Sequence, residues 1–217
     1  MQEKNTFFVI PARRDSKGFP FKNRILLEYT TKQIPTELQE KTIVTTNDDE
    51  IIKKLSESKI SIIKRDERLC LDDANIRDVM VDVINKFHMK TNDIIVMLYL
   101  TSPDRVFSDI KKILDYFLTN NLKTLTCCIE PKTHPYLCLY QKDDGRGEQI
   151  IKHDLYRRQD YPPCIELRHF VCIFEVSEVK KLNKNMYNDD TFFYKIDNDL
   201  DIDNEDELKK YLENNLR

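Results

Sequence analysis

The chain has 217 residues, a length that suits one large domain with a substantial core. Hydrophobic residues make up 40% and charged residues 34% of it, which excludes the composition of a disordered chain. The 35 basic and 38 acidic residues leave a formal charge of -3. We therefore expect no nucleic-acid partner and no anionic membrane partner, since no global charge attracts either.

The chain also lacks the marks of a membrane-bound or exported protein. No apolar run approaches the roughly 18 residues of a membrane span, and the first residues lack the basic and apolar stretches of a secretory signal. We expect a soluble, cytoplasmic protein. The six cysteines contain no CxxC pair, and Cys127 and Cys128 are adjacent. Free, mostly buried thiols are therefore expected rather than a disulfide framework or a metal site.

In the first third of the chain, short apolar runs alternate with stretches of helical period, which is typical of a mostly parallel α/β sheet with flanking helices. Buried strands are predicted for residues 6–10, 41–46 and 60–63. Asp48 is expected to cap a helix whose inward positions are Ile51, Ile52 and Leu55.

The middle of the chain predicts a strand–helix–strand unit. A helix is predicted over residues 75–87, because its apolar residues recur at helical spacing. An apolar strand at 94–98 follows, then a second helix capped by Ser108, then a strand at 124–129. In such units the loops at the carboxyl ends of the strands are where ligands bind.

The regular alternation stops after the strand at 124–129. Residues 130–163 contain several prolines and two glycines, which indicates an excursion from the main sheet. A strand at 170–174 and a final amphipathic helix then return to it. We expect a single domain over 1–217 with an inserted subregion at about 130–165.

The loop after the first strand concentrates positive charge. Five cations stand within twelve positions: Arg13, Arg14, Lys17, Lys22 and Arg24. A strand-to-helix turn also collects backbone amides, so the loop is a candidate cradle for a polyphosphate. Gly18 permits close approach of the backbone to a ligand. A solvated basic loop is the alternative, and the Walker pattern GxxxxGK[ST] is absent.

An acidic stretch lies near the carboxyl end, at residues 196–206. If it is extended through Asp203, alternate carboxylates share one face about 6.7 Å apart: Asp197, Asp199, Asp201 and Asp203. Leu200 and Ile202 then point the other way. Mg²⁺ takes one or two carboxylates together with phosphate oxygens. The alternative is a solvent-facing acidic segment. Taken together with the basic loop, however, the acidic stretch predicts a metal-dependent nucleotide site.

Six motifs in order carry a resemblance to one family. Residues 10–23, IPARRDSKGFPFKN, resemble the opening IPARGGSKGIPxKN of the acylneuraminate cytidylyltransferases, the CMP-sialic acid synthetases. TTNDDEI at 45–51 resembles STDxxEI, and RDERLCLD at 65–72 resembles RPxxLAxD. LYLTSPDR at 98–105, RRQDYP at 157–162 and LDIDN at 200–204 resemble LQPTSPLR, RRQDLP and IDIDT.

The resemblance implies a fold and a reaction. It implies a Rossmann-like nucleotide-diphospho-sugar transferase fold, in which an acid sugar's hydroxyl attacks the α-phosphate of CTP. The reaction releases pyrophosphate, gives a CMP-sugar and uses Mg²⁺. The resemblance also implies a homodimer, formed through the inserted subregion at 130–165.

The resemblance assigns roles to individual residues. Arg13, Lys17 and Lys22 would hold the triphosphate and act in catalysis. The nucleotide site would also include Ala12, Ser16, Gly18, Asn23, Arg65, Thr101 and Ser102. The acceptor side would include Tyr99, Arg105, Arg158, His169 and Phe170, and the metal ligands would be Asp201 and Asp203.

Two departures fall on the acceptor side. Tyr99 stands where the family has a glutamine, and His169-Phe170 replaces an Asn-Gly pair. Loss of an amide and of a small residue should change which acceptor fits. Three functions are therefore considered: a cytidylyltransferase for a nonulosonic or related acid, a nucleotidyltransferase for another acceptor, and a nucleotide-binding homologue without turnover.

Overall fold

The computed structural model describes residues 4–15, 19–197 and 200–215. Its centre is a seven-stranded sheet in the order β3-β2-β1-β4-β8-β5-β9, in which β8 alone runs antiparallel to its neighbours. The strands are β1 Thr6–Pro11, β2 Thr42–Thr46, β3 Ser61–Lys64, β4 Ile94–Leu98, β5 Thr124–Ile129, β6 Leu139–Gln141, β7 Gly147–Gln149, β8 Glu166–Glu175 and β9 Phe192–Lys195. The prediction of a mostly parallel α/β sheet is confirmed.

Five α-helices accompany the sheet in the described part of the chain: α1 Lys22–Gln33, α2 Asp49–Leu55, α3 Ile76–Lys86, α4 Phe107–Thr119 and α5 Glu205–Asn215. Successive side chains of a strand point to opposite faces, so Phe8 and Val9 of β1 belong to two different apolar clusters. One cluster contains the buried residues of α1 and α4, and the other those of α3. Both faces of the sheet are therefore covered, as a parallel sheet requires.

Polar side chains begin two of these helices. Asp48 Oδ1 accepts a hydrogen bond from the Glu50 amide at 3.0 Å, so the predicted cap of α2 is confirmed. Asn75 Oδ1 accepts from the Asp78 amide at 2.9 Å and caps α3. The prediction that Ser108 caps the next helix is wrong, because α4 already begins at Phe107.

The subregion at 130–165 stands apart from the main sheet. Its strands β6 and β7 form a separate two-stranded hairpin. Aromatic and imidazole rings from several turns contact one another beside it, with centroids 4.3 to 5.7 Å apart: His134, Tyr136, His153 and Tyr161. These contacts give the subregion a small packed centre of its own.

Two further expectations concern the cysteines and the absence of a membrane-spanning segment. All six cysteines are free, and Cys127, Cys128 and Cys172 are buried in the sheet, where burial raises the pKa of the Cys127 thiol to about 12. Within the described residues, no helix is both long enough and apolar enough to cross a bilayer.

The carboxyl edge of the sheet, where β1, β2, β3, β4, β5 and β9 end, gathers the chemistry-bearing loops. The basic loop follows β1, residues 47–48 follow β2, and residues 99–105 follow β4. The acidic stretch follows β9. Because β8 is antiparallel, its first residues lie at the same edge.

Candidate functional site

A lysine from the start of the chain meets an aspartate from its end. Lys22, the first residue of α1, places Nζ 3.0 Å from the Asp203 carboxylate and 3.0 Å from the Ile202 carbonyl oxygen. The two charged residues are 181 positions apart in sequence. Lys22 is buried, whereas Asp203 is exposed. The predicted convergence of the basic loop and the acidic stretch is therefore present in the fold.

The acidic segment is attached to the loop after β4. The Ile202 amide donates to the Thr101 carbonyl at 2.8 Å, and Ser102 Oγ donates to the Leu200 carbonyl at 3.2 Å. Ile202 is fully buried and faces the core, as the predicted alternation requires. The acidic stretch is not a continuation of the last strand, because β9 ends at Lys195.

The carboxylates of the acidic stretch have different surroundings. Asp201 accepts a hydrogen bond from Arg168 Nη1 at 3.2 Å, and Asp203 is paired with Lys22. Asp197 is exposed, and Asp199 lies outside the described residues. Asp201 and Asp203 are thus the members of the predicted set that the structure places beside cations.

The basic loop is folded against the segment that follows β3. Arg13 Nη1 donates to the carbonyls of Cys70 and Leu71, at 3.2 Å each, and Arg13 Nη2 lies 3.2 Å from the Asp72 carboxylate. Asn23 Nδ2 donates to the Arg13 carbonyl at 2.8 Å, which joins the two ends of the loop. The predicted Ser16, Lys17 and Gly18 lie outside the described residues.

Residues 47 and 48, directly after β2, support this loop and escaped the sequence analysis in that role. The Arg14 amide donates to Asn47 Oδ1 at 2.8 Å, and Arg24 Nε donates to Asp48 Oδ2 at 2.6 Å. Asp48 is fully buried. The Arg24 guanidinium also lies 4.1 Å from the centroid of the Phe21 ring. The loop is thereby tied to α2 near both of its ends.

Arg65 is a buried cation beside the basic loop. Its Nη2 donates to the Thr45 carbonyl at 3.0 Å and its Nε to Thr45 Oγ1 at 3.4 Å, so both bonds go to uncharged groups. Burial lowers the pKa of Arg65 to about 10, and the positive charge of Arg13 acts in the same direction. A buried guanidinium next to a second cation favours an anionic ligand.

Comparison with known proteins decides the family. The sequence profile of the family described as cytidylyltransferase matches residues 7–215. This chain belongs to the cytidylyltransferase family. Among curated proteins it is 28% identical over 212 residues to the N-acylneuraminate cytidylyltransferase of Streptococcus agalactiae serotype V, covering 92% of this chain and 51% of that protein. The chain thus spans about half the length of these relatives.

Two further similarities cover most of the length of the other protein as well. The chain is 26% identical over 210 residues to the post-translational flagellin modification protein B of Campylobacter coli, covering 92% and 89% of the two chains. The solved structure of CMP:2-keto-3-deoxy-manno-octonic acid synthetase complexed with CTP matches with a TM-score of 0.68 at 13% identity, covering 99% and 100%. The structural match concerns the fold alone.

Two residues assigned to the acceptor side of this cytidylyltransferase are core residues. Arg105 is fully buried, and its Nη1 donates to the Phe170 carbonyl at 2.6 Å while Nη2 donates to Thr30 Oγ1 at 3.3 Å. Burial lowers the pKa of Arg105 to about 10. The Phe170 side chain is itself packed in the apolar cluster beneath α1 and α4. In this structure these residues join β8 to α1, and their assignment to the acceptor side stays a prediction.

Some residues assigned to the nucleotide side also have structural partners. Ser102 is buried, and its bond to the Leu200 carbonyl supports the acidic segment. The Ala12 amide is used in a 2.9 Å bond to the Thr45 carbonyl. Thr101 Oγ1, by contrast, is buried without a hydrogen-bond partner among the described residues. A buried hydroxyl without a partner is uncommon and marks a place where a ligand or water supplies one.

The two residues that depart from the family pattern lie together. The rings of Tyr99 and His169 are stacked, with centroids 4.8 Å apart. Burial lowers the pKa of His169, while the nearby Asp201 and Asp203 carboxylates oppose that effect. The pair therefore lies within electrostatic reach of both carboxylates. Arg158 lies elsewhere, on an exposed turn of the inserted subregion, where it lines a cleft with Glu130 and Lys195.

The donor set suits a hard divalent ion bound with a phosphate. Among the described residues, no group of three or more His, Cys, Asp or Glu is placed to hold a metal. Asp201 and Asp203 supply two carboxylates, both of which act electrostatically on His169. Mg²⁺ commonly takes one or two carboxylates and completes its shell with water and substrate phosphates. These two residues therefore fit Mg²⁺ that arrives with a nucleotide.

Proposed function

We propose that the protein transfers CMP from CTP to a hydroxyl of an acidic sugar, with Mg²⁺, and releases pyrophosphate. The observation that carries the proposal is the 3.0 Å pairing of Lys22 with Asp203 at the carboxyl edge, the edge where Arg13 and Arg65 follow β1 and β3. A triphosphate and a divalent ion need this juxtaposition of cations and carboxylates. Membership of the cytidylyltransferase family supports the choice of nucleotide.

The reaction asks the protein for positioning and charge neutralisation. The acceptor oxygen forms a bond to the α-phosphorus as the bond from that phosphorus to the bridging oxygen breaks. Pyrophosphate leaves, and the proton of the acceptor hydroxyl passes to water. Lys22 and Arg13, joined by Lys17, offset the charge that grows on the pyrophosphate. Asp201 and Asp203 would hold Mg²⁺, which would supply neutralisation of phosphate charge. Asn23 keeps the loop closed through its bond to the Arg13 carbonyl.

We propose that the acceptor binds on the side where Tyr99 stacks on His169. The similarity to N-acylneuraminate cytidylyltransferase supports an acidic sugar, such as a sialic acid or a related nonulosonic acid. An aromatic pair presents a flat, partly apolar surface where an amide would present hydrogen-bonding groups. We therefore infer an acceptor with fewer hydroxyl groups on the face that meets this pair.

A homodimer through the inserted subregion is part of the proposal. Eight of the fourteen large apolar side chains described as exposed lie between residues 137 and 165, and Tyr156 among them is 94% exposed. A concentration of exposed apolar residues is typical of a protein–protein interface. Arg158 lies in the same subregion, so the dimer also determines what surrounds that guanidinium.

The test is to follow pyrophosphate while the protein is incubated with each of the four ribonucleoside triphosphates, Mg²⁺ and a panel of acid sugars. We expect release with CTP in preference to the other nucleotides, only when an acid sugar is present, and none after addition of EDTA. Asp203→Asn should lower the rate at least about 100-fold without unfolding the protein. A preference for another nucleotide, or turnover that survives EDTA, would refute the proposal.

A further inference from the structure

Both carboxylates proposed to hold the metal already have a cationic partner. Asp201 is 3.2 Å from Arg168, and Asp203 is 3.0 Å from Lys22. The cations are the buried members of these pairs: the side chains of Arg168 and Lys22 are 10% and 8% exposed, against 28% and 69% for Asp201 and Asp203. In the ligand-free protein, each carboxylate is therefore oriented by a cation from beneath it.

The local backbone places Arg168 in this position. The pairing of β5 with β8 is regular up to Thr126 and Cys172, and then shifts so that Cys127 lies opposite Arg168. An irregularity of this kind redirects side chains and is common beside active sites. His169, the next residue, stacks on Tyr99. The arginine thus stands between the metal carboxylates and the proposed acceptor side.

A metal ion that binds Asp201 competes with Arg168 for the negative charge of that carboxylate. Weakening the ion pair of a largely buried guanidinium costs free energy, because that charge is poorly hydrated. An incoming oxyanion removes this penalty if it pairs with Arg168 as the metal binds Asp201. Both a nucleotide phosphate and an acceptor carboxylate are oxyanions, and a guanidinium binds either well.

We propose that Arg168 is a positioning residue that holds Asp201 in the metal-free protein and releases it to a divalent ion together with a substrate oxyanion. This inference rests on the proposed function, since it takes Asp201 as a metal ligand. Its consequence is cooperative binding: the oxyanion strengthens metal binding, and the metal strengthens oxyanion binding by the same factor. Divalent metal alone binds weakly.

The test measures Mn²⁺ affinity from the electron paramagnetic resonance signal of the free ion. Wild-type protein, Arg168→Gln and a control, Arg146→Gln, are titrated alone, with α,β-methylene CTP and with an acid sugar. Arg146 pairs with Asp144 in the hairpin turn of the subregion, at 2.8 Å, so the control also removes an arginine–aspartate pair. Each anion is tested separately, which shows whether phosphate or carboxylate receives Arg168.

In wild type and in Arg146→Gln, we expect at least one anion to tighten Mn²⁺ binding about 10-fold or more. Arg168→Gln should bind Mn²⁺ more tightly than wild type when no anion is present, and its gain from the anion should fall to about 2-fold. An arginine that merely stabilised the fold would not strengthen metal binding when removed. An undiminished gain in Arg168→Gln would overturn the inference.

Two measurements keep the result interpretable. If Arg168→Gln does not fold, the wild-type titration decides, because the absence of any gain from either anion overturns the inference on its own. Arg168→Lys, which retains the charge, should keep most of the wild-type gain. Pyrophosphate release by wild type is measured in parallel, so a failure of the proposed function is seen separately from a failure of cooperative binding.

Discussion

The two edges of the sheet use ion pairs in opposite ways. At the amino edge, where β1 and β5 begin, a buried acid meets exposed bases: Glu175 is 5% exposed and accepts from Lys4 at 2.6 Å and from Lys123 at 2.5 Å, two lysines at least half exposed. In the two ion pairs of the acidic segment at the carboxyl edge, the burial is reversed. Lys22 is buried and meets the exposed carboxylate of Asp203.

This difference indicates at which edge the charged side chains can exchange one ionic partner for another. The two lysines that pair with Glu175 keep their ammonium groups in contact with water, so they do not need a further anionic partner. At the carboxyl edge, the hydrogen bonds that the buried guanidinium of Arg65 makes to described residues go to the uncharged groups of Thr45. Fixed, partly desolvated cations attract anions more strongly than exposed ones. The comparison therefore assigns anion binding to the carboxyl edge.

The largest difference between the two edges is expected when one lysine is replaced at each of them. Lys22→Met should lower kcat/KM for CTP by about 100-fold to 1000-fold, because a buried charge that stabilises the leaving pyrophosphate is lost. Lys123→Met should leave kcat/KM unchanged, since Lys4 still pairs with Glu175. Steady-state pyrophosphate release with both variants measures the effect. Equal losses in the two variants would contradict the assignment.

A smaller effect is expected from Arg65. Arg65→Gln should raise the KM for CTP about 10-fold with a lesser change in kcat, because it removes a charge that attracts phosphate but is not required at the reacting bond. Arg77→Gln is the matched control, since Arg77 Nη1 donates to the Leu182 carbonyl on the face of α3. A KM that is the same in Arg65→Gln and wild type would remove Arg65 from the site.

The smallest effect on activity is expected at the amino edge. Glu175→Gln should lower the free energy of unfolding by about 1–2 kcal/mol, since two charge-assisted hydrogen bonds are weakened, and should leave kcat unchanged. Urea denaturation of both proteins measures the difference. A loss of activity in the folded variant would show that this edge also takes part in function.

The same glutamate predicts a pH dependence. Burial alone would raise the pKa of Glu175, but hydrogen bonds from Lys123 and Lys4 outweigh it, so its pKa is lowered in the folded state. The stabilisation is therefore complete above the unfolded carboxyl pKa, about 4.3, and is lost as the pH falls through the lower folded value. In Glu175→Gln, this part of the acid dependence should disappear.

The sequence predicted the alternation of strands and helices because buried parallel strands and amphipathic helices have distinct apolar periods. It also predicted that the basic loop and the acidic stretch meet, since loops at the carboxyl ends of parallel strands share one edge. The meeting of Lys22 with Asp203 confirms this. The motif spacing was specific enough to indicate the family.

Burial and long-range pairing were beyond the reach of the sequence. Arg105 stands in a motif that resembles one of the family's, and its side chain donates to the Phe170 carbonyl inside the core. Arg168 carries no motif, and its pairing with Asp201 depends on the shift in the β5–β8 register. Asp48 was predicted only as a helix cap, whereas its second oxygen holds Arg24.

The most direct test of the central claim is a crystal structure of the protein with α,β-methylene CTP and Mn²⁺, in which anomalous scattering locates the metal. We predict that Mn²⁺ is bound by the carboxylates of Asp201 and Asp203, and that Lys22 has turned from Asp203 to a phosphate oxygen. A nucleotide bound at another edge of the sheet, or Mn²⁺ away from both carboxylates, would contradict it.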